Sequence, residues 1–77
     1  MANPLTEKIR GILSPVLGEF IADSAIRVNC ERIGVTNDTL ATQQLTEFAE
    51  KIKITLFIFL SEKKAREVVQ KIKKIKG

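Results

Sequence analysis

A small all-α domain of four helices is the fold class that this chain predicts, and three observations carry it. Apolar residues recur at three- and four-residue spacing through most of the sequence. Asn3-Pro4, Ser14-Pro15 and Ser61 stand where helices start, and Gly34 stands where one stops. Only one segment, Lys51 to Leu60, also alternates as a strand does, and a lone strand has no partner. The chain is read as one domain spanning residues 1–77: a short first helix, a central second helix, an apolar third helix and a basic C-terminal helix.

The first helix starts with Asn3 as cap and Pro4 at the first helical position, where a missing N–H costs nothing. Leu5, Ile9, Ile12 and Leu13 share one face. Pro15 inside that pattern loses a backbone hydrogen bond and crowds the carbonyl four residues back, so Ser14 and Pro15 are read as the start of a second helix. That helix is expected from Pro15 to Ile33, closed by Gly34. Its polar residues Glu19, Asp23, Arg27 and Glu31 form one stripe, spaced for i,i+4 ion pairs. The rest of its circumference is apolar or small, which predicts a central position with several neighbours.

Val35 to Asp38 is a turn by composition, and any of Thr36, Asn37, Asp38 or Thr39 can cap the third helix. Leu45, Phe48, Ala49, Ile52, Leu56, Phe59 and Leu60 then follow helical spacing, whereas Ile52, Ile54, Leu56, Ile58 and Leu60 also alternate as a half-buried strand does. Helix is preferred over 51–60, because no turn signal interrupts the preceding pattern and a lone strand has no partner. Ser61 caps the fourth helix, whose apolar stripe is Ala65, Val68, Val69, Ile72 and Ile75.

At 44% hydrophobic and 29% charged residues the chain has enough apolar content to fold. The longest uncharged apolar run, Ile54 to Leu60, is far short of the ~20 residues of a membrane span. Glu7, Lys8 and Arg10 interrupt the only apolar run near the start, so no secretory signal is expected, and a cytoplasmic location fits the single cysteine. With no His and one Cys, zinc sites and His-activated nucleophiles have no residues to draw on, and Gly11, Gly18, Gly34 and Gly77 are too scattered for a phosphate loop. No paired carboxylates stand out, so neither an enzyme nor a cofactor is expected. Cys30 is read as a buried, inert thiol.

Charge is divided along the chain. Residues 1–50 carry four basic and seven acidic groups, a net −3, and residues 51–77 carry nine basic and two acidic, a net +7. Lys63, Lys64, Arg66, Lys71, Lys73, Lys74 and Lys76 make the last helix cationic. That face is either simply solvated, a docking site for an acidic protein surface, or a nucleic-acid contact. For nucleic acid, Ile33, Val35 and Leu40 fit the apolar positions of a helix-turn-helix centred on Gly34, with Thr39, Thr42, Gln43 and Gln44 facing bases. Asn29 and Gln43 do not fit that pattern, Asp38 sits at the entry, and no nearby Arg or Lys holds phosphate. Phe20, Phe48, Phe57 and Phe59 lie in apolar stripes and are expected in the core rather than as stacking platforms.

The run Ile54-Thr55-Leu56-Phe57-Ile58-Phe59-Leu60 is apolar almost all round. Four short helices have limited capacity to enclose it, so Ile54, Phe57 and Ile58 are the candidate surface for a homodimer or another docking partner.

Leu13 to Gly18 followed by Ala22 and Ala25, then Phe48 to Ile52, then Phe59 to Ala65, resembles small helical accessory domains of bacterial signalling proteins. The resemblance implies a non-catalytic regulatory or association module and transfers no site residues. The sequence reading is therefore an interaction or regulatory module that self-associates, with a nucleic-acid-binding protein as the alternative.

Overall fold

A computed structural model describes residues 3–75, and these contain four α-helices and no strand. The helices are α1 (Pro4–Leu17), α2 (Glu19–Arg32), α3 (Leu45–Phe59) and α4 (Glu62–Lys73), with a 3₁₀ turn over Thr42–Gln44 leading into α3. Lys76 of the cationic series lies outside the described residues. α1 packs on α2, α2 on α3, α3 on α4, and α4 back on α1. This closed ring surrounds a core in which Ile9, Leu13, Ile26, Phe48, Ile52, Leu56, Val68 and Ile72 are fully enclosed.

The start of α1 follows the sequence rule. Asn3 Oδ1 accepts from the Leu5 N–H at 3.0 Å, and Pro4 occupies the first turn. Its end does not, because α1 continues through Pro15 to Leu17. Pro15 and Gly11 are both exposed, so the Gly11 carbonyl that Pro15 leaves without a donor lies on the side open to solvent. The break falls at Gly18, whose φ of 86° is the left-handed backbone that residues with a Cβ avoid. Gly18 closes α1 by donating to the Ser14 carbonyl at 2.9 Å and opens α2 by accepting from the Ala22 N–H at 2.9 Å. The first helix is therefore not short, and the boundary moves from Pro15 to Gly18.

α2 closes as its sequence predicts. Val35 N–H donates to the Cys30 carbonyl at 2.9 Å and Gly34 N–H to the Glu31 carbonyl at 3.1 Å, with Gly34 at φ 79°. This is the hydrogen-bond pair of a Schellman cap. α2 is one wall of the ring rather than its hub, and it buries Ala22, Ala25, Ile26, Asn29 and Cys30 while Phe20 is 84% exposed. Asp23 pairs with Arg10 of α1 at 2.9 Å, and Arg27 forms no ion pair among the described residues. Asn29 is buried in the core: its Nδ2 donates to the Ala25 carbonyl at 2.7 Å, and its Oδ1 has no partner.

Between Gly34 and α3 the chain makes one capped turn that does not propagate. Thr39 Oγ1 accepts from Thr36 N–H at 2.8 Å, and Thr36 Oγ1 accepts from Asp38 and Thr39 N–H, each at 3.2 Å. The first turn of α1 straps this segment down: Asn3 Nδ2 donates to the Leu40 carbonyl and Thr6 Oγ1 to the Asn37 carbonyl, both at 2.6 Å. Leu40 is thereby held in the core.

α3 resolves the helix-strand ambiguity. Leu45, Phe48, Ala49, Ile52 and Leu56 face inward at helical spacing, and Ile54 and Ile58, which an alternating strand places on the same face as Ile52 and Leu56, lie outside. Ser61 Oγ accepts from Lys64 N–H at 3.3 Å and starts α4, whose Ala65, Val68, Val69 and Ile72 are buried, with Ile75 packed against them.

Candidate interaction surface

The inward stripe of α3 leaves Ile54, Phe57 and Ile58 on its outer side, because residues three and four apart share a face. Their exposures are 60%, 42% and 74%. Phe59, the last residue of α3, is 52% exposed although it continues the buried series in spacing. The core expectation therefore holds for Phe48 and fails for Phe20, Phe57 and Phe59. Phe59 lies at the open end of the bundle, one residue before Leu60 turns to extended backbone, so neighbours cover only part of its ring. Phe20 lies in the first turn of α2, turned away from the buried Ala22 and Ile26.

The same logic on α4 turns its polar side to solvent. Lys63, Lys64, Arg66, Lys71 and Lys74 are exposed, while Lys73 is half-buried and reaches across to Glu50 of α3 at 2.6 Å. That lysine, by its hydrogen bond and then by its charge, holds the Glu50 carboxyl below its ordinary range. Arg66 is tied to Glu62 at 2.7 Å, and Lys64 stands 4.0 Å from Glu67. Lys63, Lys71 and Lys74 have no ion-pair partner among the described residues. The six cations thus differ in kind. Three are held by carboxylates, and three are unopposed.

A shallow groove of about 210 Å³ separates α3 from α4, with Lys53 on one bank and Arg66, Gln70 and Lys73 on the other. The Lys53 ammonium also lies 5.8 Å from the centroid of the Phe57 ring, a cation–π contact that joins the apolar side of the face to the charged side. Lys53 was not singled out by the sequence reading. The three-to-four-residue spacing of Lys53 and Phe57 within one helix was the available signal.

Elsewhere, a wider cleft of about 630 Å³ runs between α1 and α2, with Phe20 and Arg27 at its rim and the Arg10–Asp23 pair across it. The Cys30 thiol is fully enclosed, and burial pushes it from 9.0 up to about 11. The described residues contain no group of three His, Cys, Asp or Glu side chains able to hold a metal ion, and no helix long and apolar enough to cross a membrane.

The helix-turn-helix arrangement is not formed. After Gly34 the next α-helix begins only at Leu45, and Thr39 and Gln44 spend their side chains on the backbone of Thr36 and Ala41. The chain matches no protein-family model, no curated protein and no solved structure.

Proposed function

We propose that this chain is a non-enzymatic interaction or regulatory module that self-associates through Ile54, Phe57 and Ile58 and offers the cationic side of α4 to an acidic partner. The observation that carries the reading is the exposure of three large apolar side chains on adjacent turns of one helix, beside a charged ridge. Contiguous apolar surface of this kind on a small domain marks a contact site. The likeness to helical accessory domains of bacterial signalling proteins points the same way. In this reading the module acts without a cofactor in the cytoplasm.

Sedimentation equilibrium tests self-association. The wild type is expected to dimerise, and Phe57→Glu to shift it towards monomer with its helical circular dichroism intact, because a charge there still reaches water in the monomer and is fully desolvated only in the pair. A wild type that stays monomeric at high concentration removes the homodimer. Nucleic acid is the second reading, favoured by the unopposed Lys63, Lys71 and Lys74. Binding that weakens steeply with salt and tolerates many base sequences selects it over a protein partner.

A further inference from the structure

The exposed apolar residues at the end of α3 do not lie on one side of the helix. At about 100° per residue, Phe57, Ile54, Ile58 and Phe59 are spread over roughly 200° of its circumference. A second copy lying flat on Ile54, Phe57 and Ile58 leaves Phe59 uncovered, and so does any rigid flat partner. The surroundings are cationic as well. Lys51 and Lys53 precede this end of α3 within two turns, and Lys63 and Lys64 follow it in the first turn of α4. Glu50, Glu62 and Glu67 lie beside these lysines in sequence and are engaged by Lys73 at 2.6 Å, Arg66 at 2.7 Å and Lys64 at 4.0 Å, which leaves Lys51, Lys53 and Lys63 without a salt bridge among the described residues. What complements this corner must be negatively charged, apolar below its charge, and deformable enough to surround a protruding helix end.

We infer that the α3–α4 corner docks on an anionic lipid bilayer. Ile54, Phe57, Ile58 and Phe59 enter the boundary between headgroups and acyl chains, and Lys51, Lys53, Lys63 and Lys64 meet the headgroup charges around them. The cation–π contact of Lys53 with Phe57 keeps an ammonium at the edge of the apolar cap, where a lipid phosphate or carboxylate replaces water. The backbone permits shallow entry. Leu60 N–H is bound to the Leu56 carbonyl at 2.8 Å and the Ser61 carbonyl to Ala65 N–H at 2.9 Å, while the other carbonyls ending α3 stay hydrated in the headgroup layer. The inference rests on the reading of Ile54, Phe57 and Ile58 as a contact surface, but not on a second copy as the occupant. The same side chains cannot serve both at once, so lipid binding and self-association compete.

Flotation of the full chain with vesicles tests this. Vesicles of phosphatidylcholine mixed with phosphatidylserine are expected to carry the protein upward, and vesicles of phosphatidylcholine alone to leave it behind. Ile58→Ser, at the most exposed of the four positions, is expected to lower partitioning about tenfold with helical circular dichroism retained. Replacing Lys51, Lys63 and Lys64 with Gln is expected to lower it about fivefold per lysine. Failure to bind the mixed vesicles overturns the inference, and so does Ile58→Ser binding as tightly as wild type, which reduces the contact to charge alone. Sedimentation without lipid, run in parallel, separates the two readings. A dimer that ignores vesicles sinks the lipid inference and leaves self-association standing, whereas a monomer that floats with anionic vesicles does the reverse.

Discussion

Phe48 and Phe59 sit on the same helix, at positions that the same spacing assigns to the same stripe, and they meet opposite fates. Phe48 is fully enclosed near the start of α3, and Phe59 is half-exposed at its end. The regions around them differ in the same way. Where α1, α2 and the Val35–Ala41 segment meet the start of α3, side chains are spent on closure: Asn3 and Thr6 strap the connecting turn, and Leu40 plugs the core. At the α3–α4 corner a single capping serine makes the turn, and among the described residues no segment folds over the apolar side chains beside it. Helical spacing specifies a direction around the axis. Cover depends on what else reaches that point along it.

Truncation sharpens this contrast most. Phe48→Ala is expected to cost about 3–5 kcal/mol, as large-to-small changes at enclosed sites do. Phe59→Ala should cost less than about 1 kcal/mol, because half of its ring already faces water. Chemical denaturation of the two variants measures both. Equal costs would mean that the end of α3 is as well covered as its start.

Cys30 probes the enclosed region through pH. Its folded thiol ionises at about 11 against an ordinary 9.0, so between these values the unfolded chain has lost a proton that the folded chain keeps. Stability from this group is complete below pH 9.0 and falls as pH rises towards about 11. The loss is expected to be about 3 kcal/mol, an order of magnitude set by the size of the shift. Cys30→Ala removes this part of the alkaline slope. If wild type and variant lose stability in parallel, the thiol is not held neutral.

Two glycines test where the first boundary lies. Gly18→Ala is expected to destabilise by about 1–2 kcal/mol, since Ala is strained at that backbone angle. Gly11→Ala should stabilise by about 0.5–1 kcal/mol, because it lies inside α1 with nothing near its added Cβ. Had α1 ended at Pro15, the two effects would be similar.

The smallest effect separates the cations of α4. Lys73→Gln is expected to lower stability slightly and Lys71→Gln not at all, since only Lys73 engages Glu50. The Glu50 carboxyl is held below its ordinary range, so the benefit of the pair is present above that range and is lost as pH falls through the lowered value. Thermal melts at neutral pH and in acid check the sign. The difference between the variants should vanish once Glu50 is protonated.

Four helices, the Asn3, Gly34 and Ser61 end signals and the buried stripe of α4 were legible in the chain, because each rests on residues within one or two turns of one another. Ile54, Phe57 and Ile58 were legible as a surplus of apolar residues over one stripe, and they lie exposed together. Gly18 marks the boundary, although Pro15 three residues earlier carries the more familiar boundary signal. The cost of a helical proline depends on whether the carbonyl that it deprives faces water, and Pro15 itself does not reveal that.

Local hydrogen bonding and the angular repeat of the helix thus settled the elements and the inward stripe of α4 before any packing was known. Packing alone decided that α3 encloses Phe48 and leaves Phe59 open, that Asp23 pairs with Arg10 rather than Arg27, and that Lys73 is tied to Glu50 while Lys63, Lys71 and Lys74 have no ion pair among the described residues. The physical reason is range. A cap is completed by atoms a few residues away, whereas burial and cross-helix ion pairs are completed by neighbours that only the closed ring of four helices brings within reach.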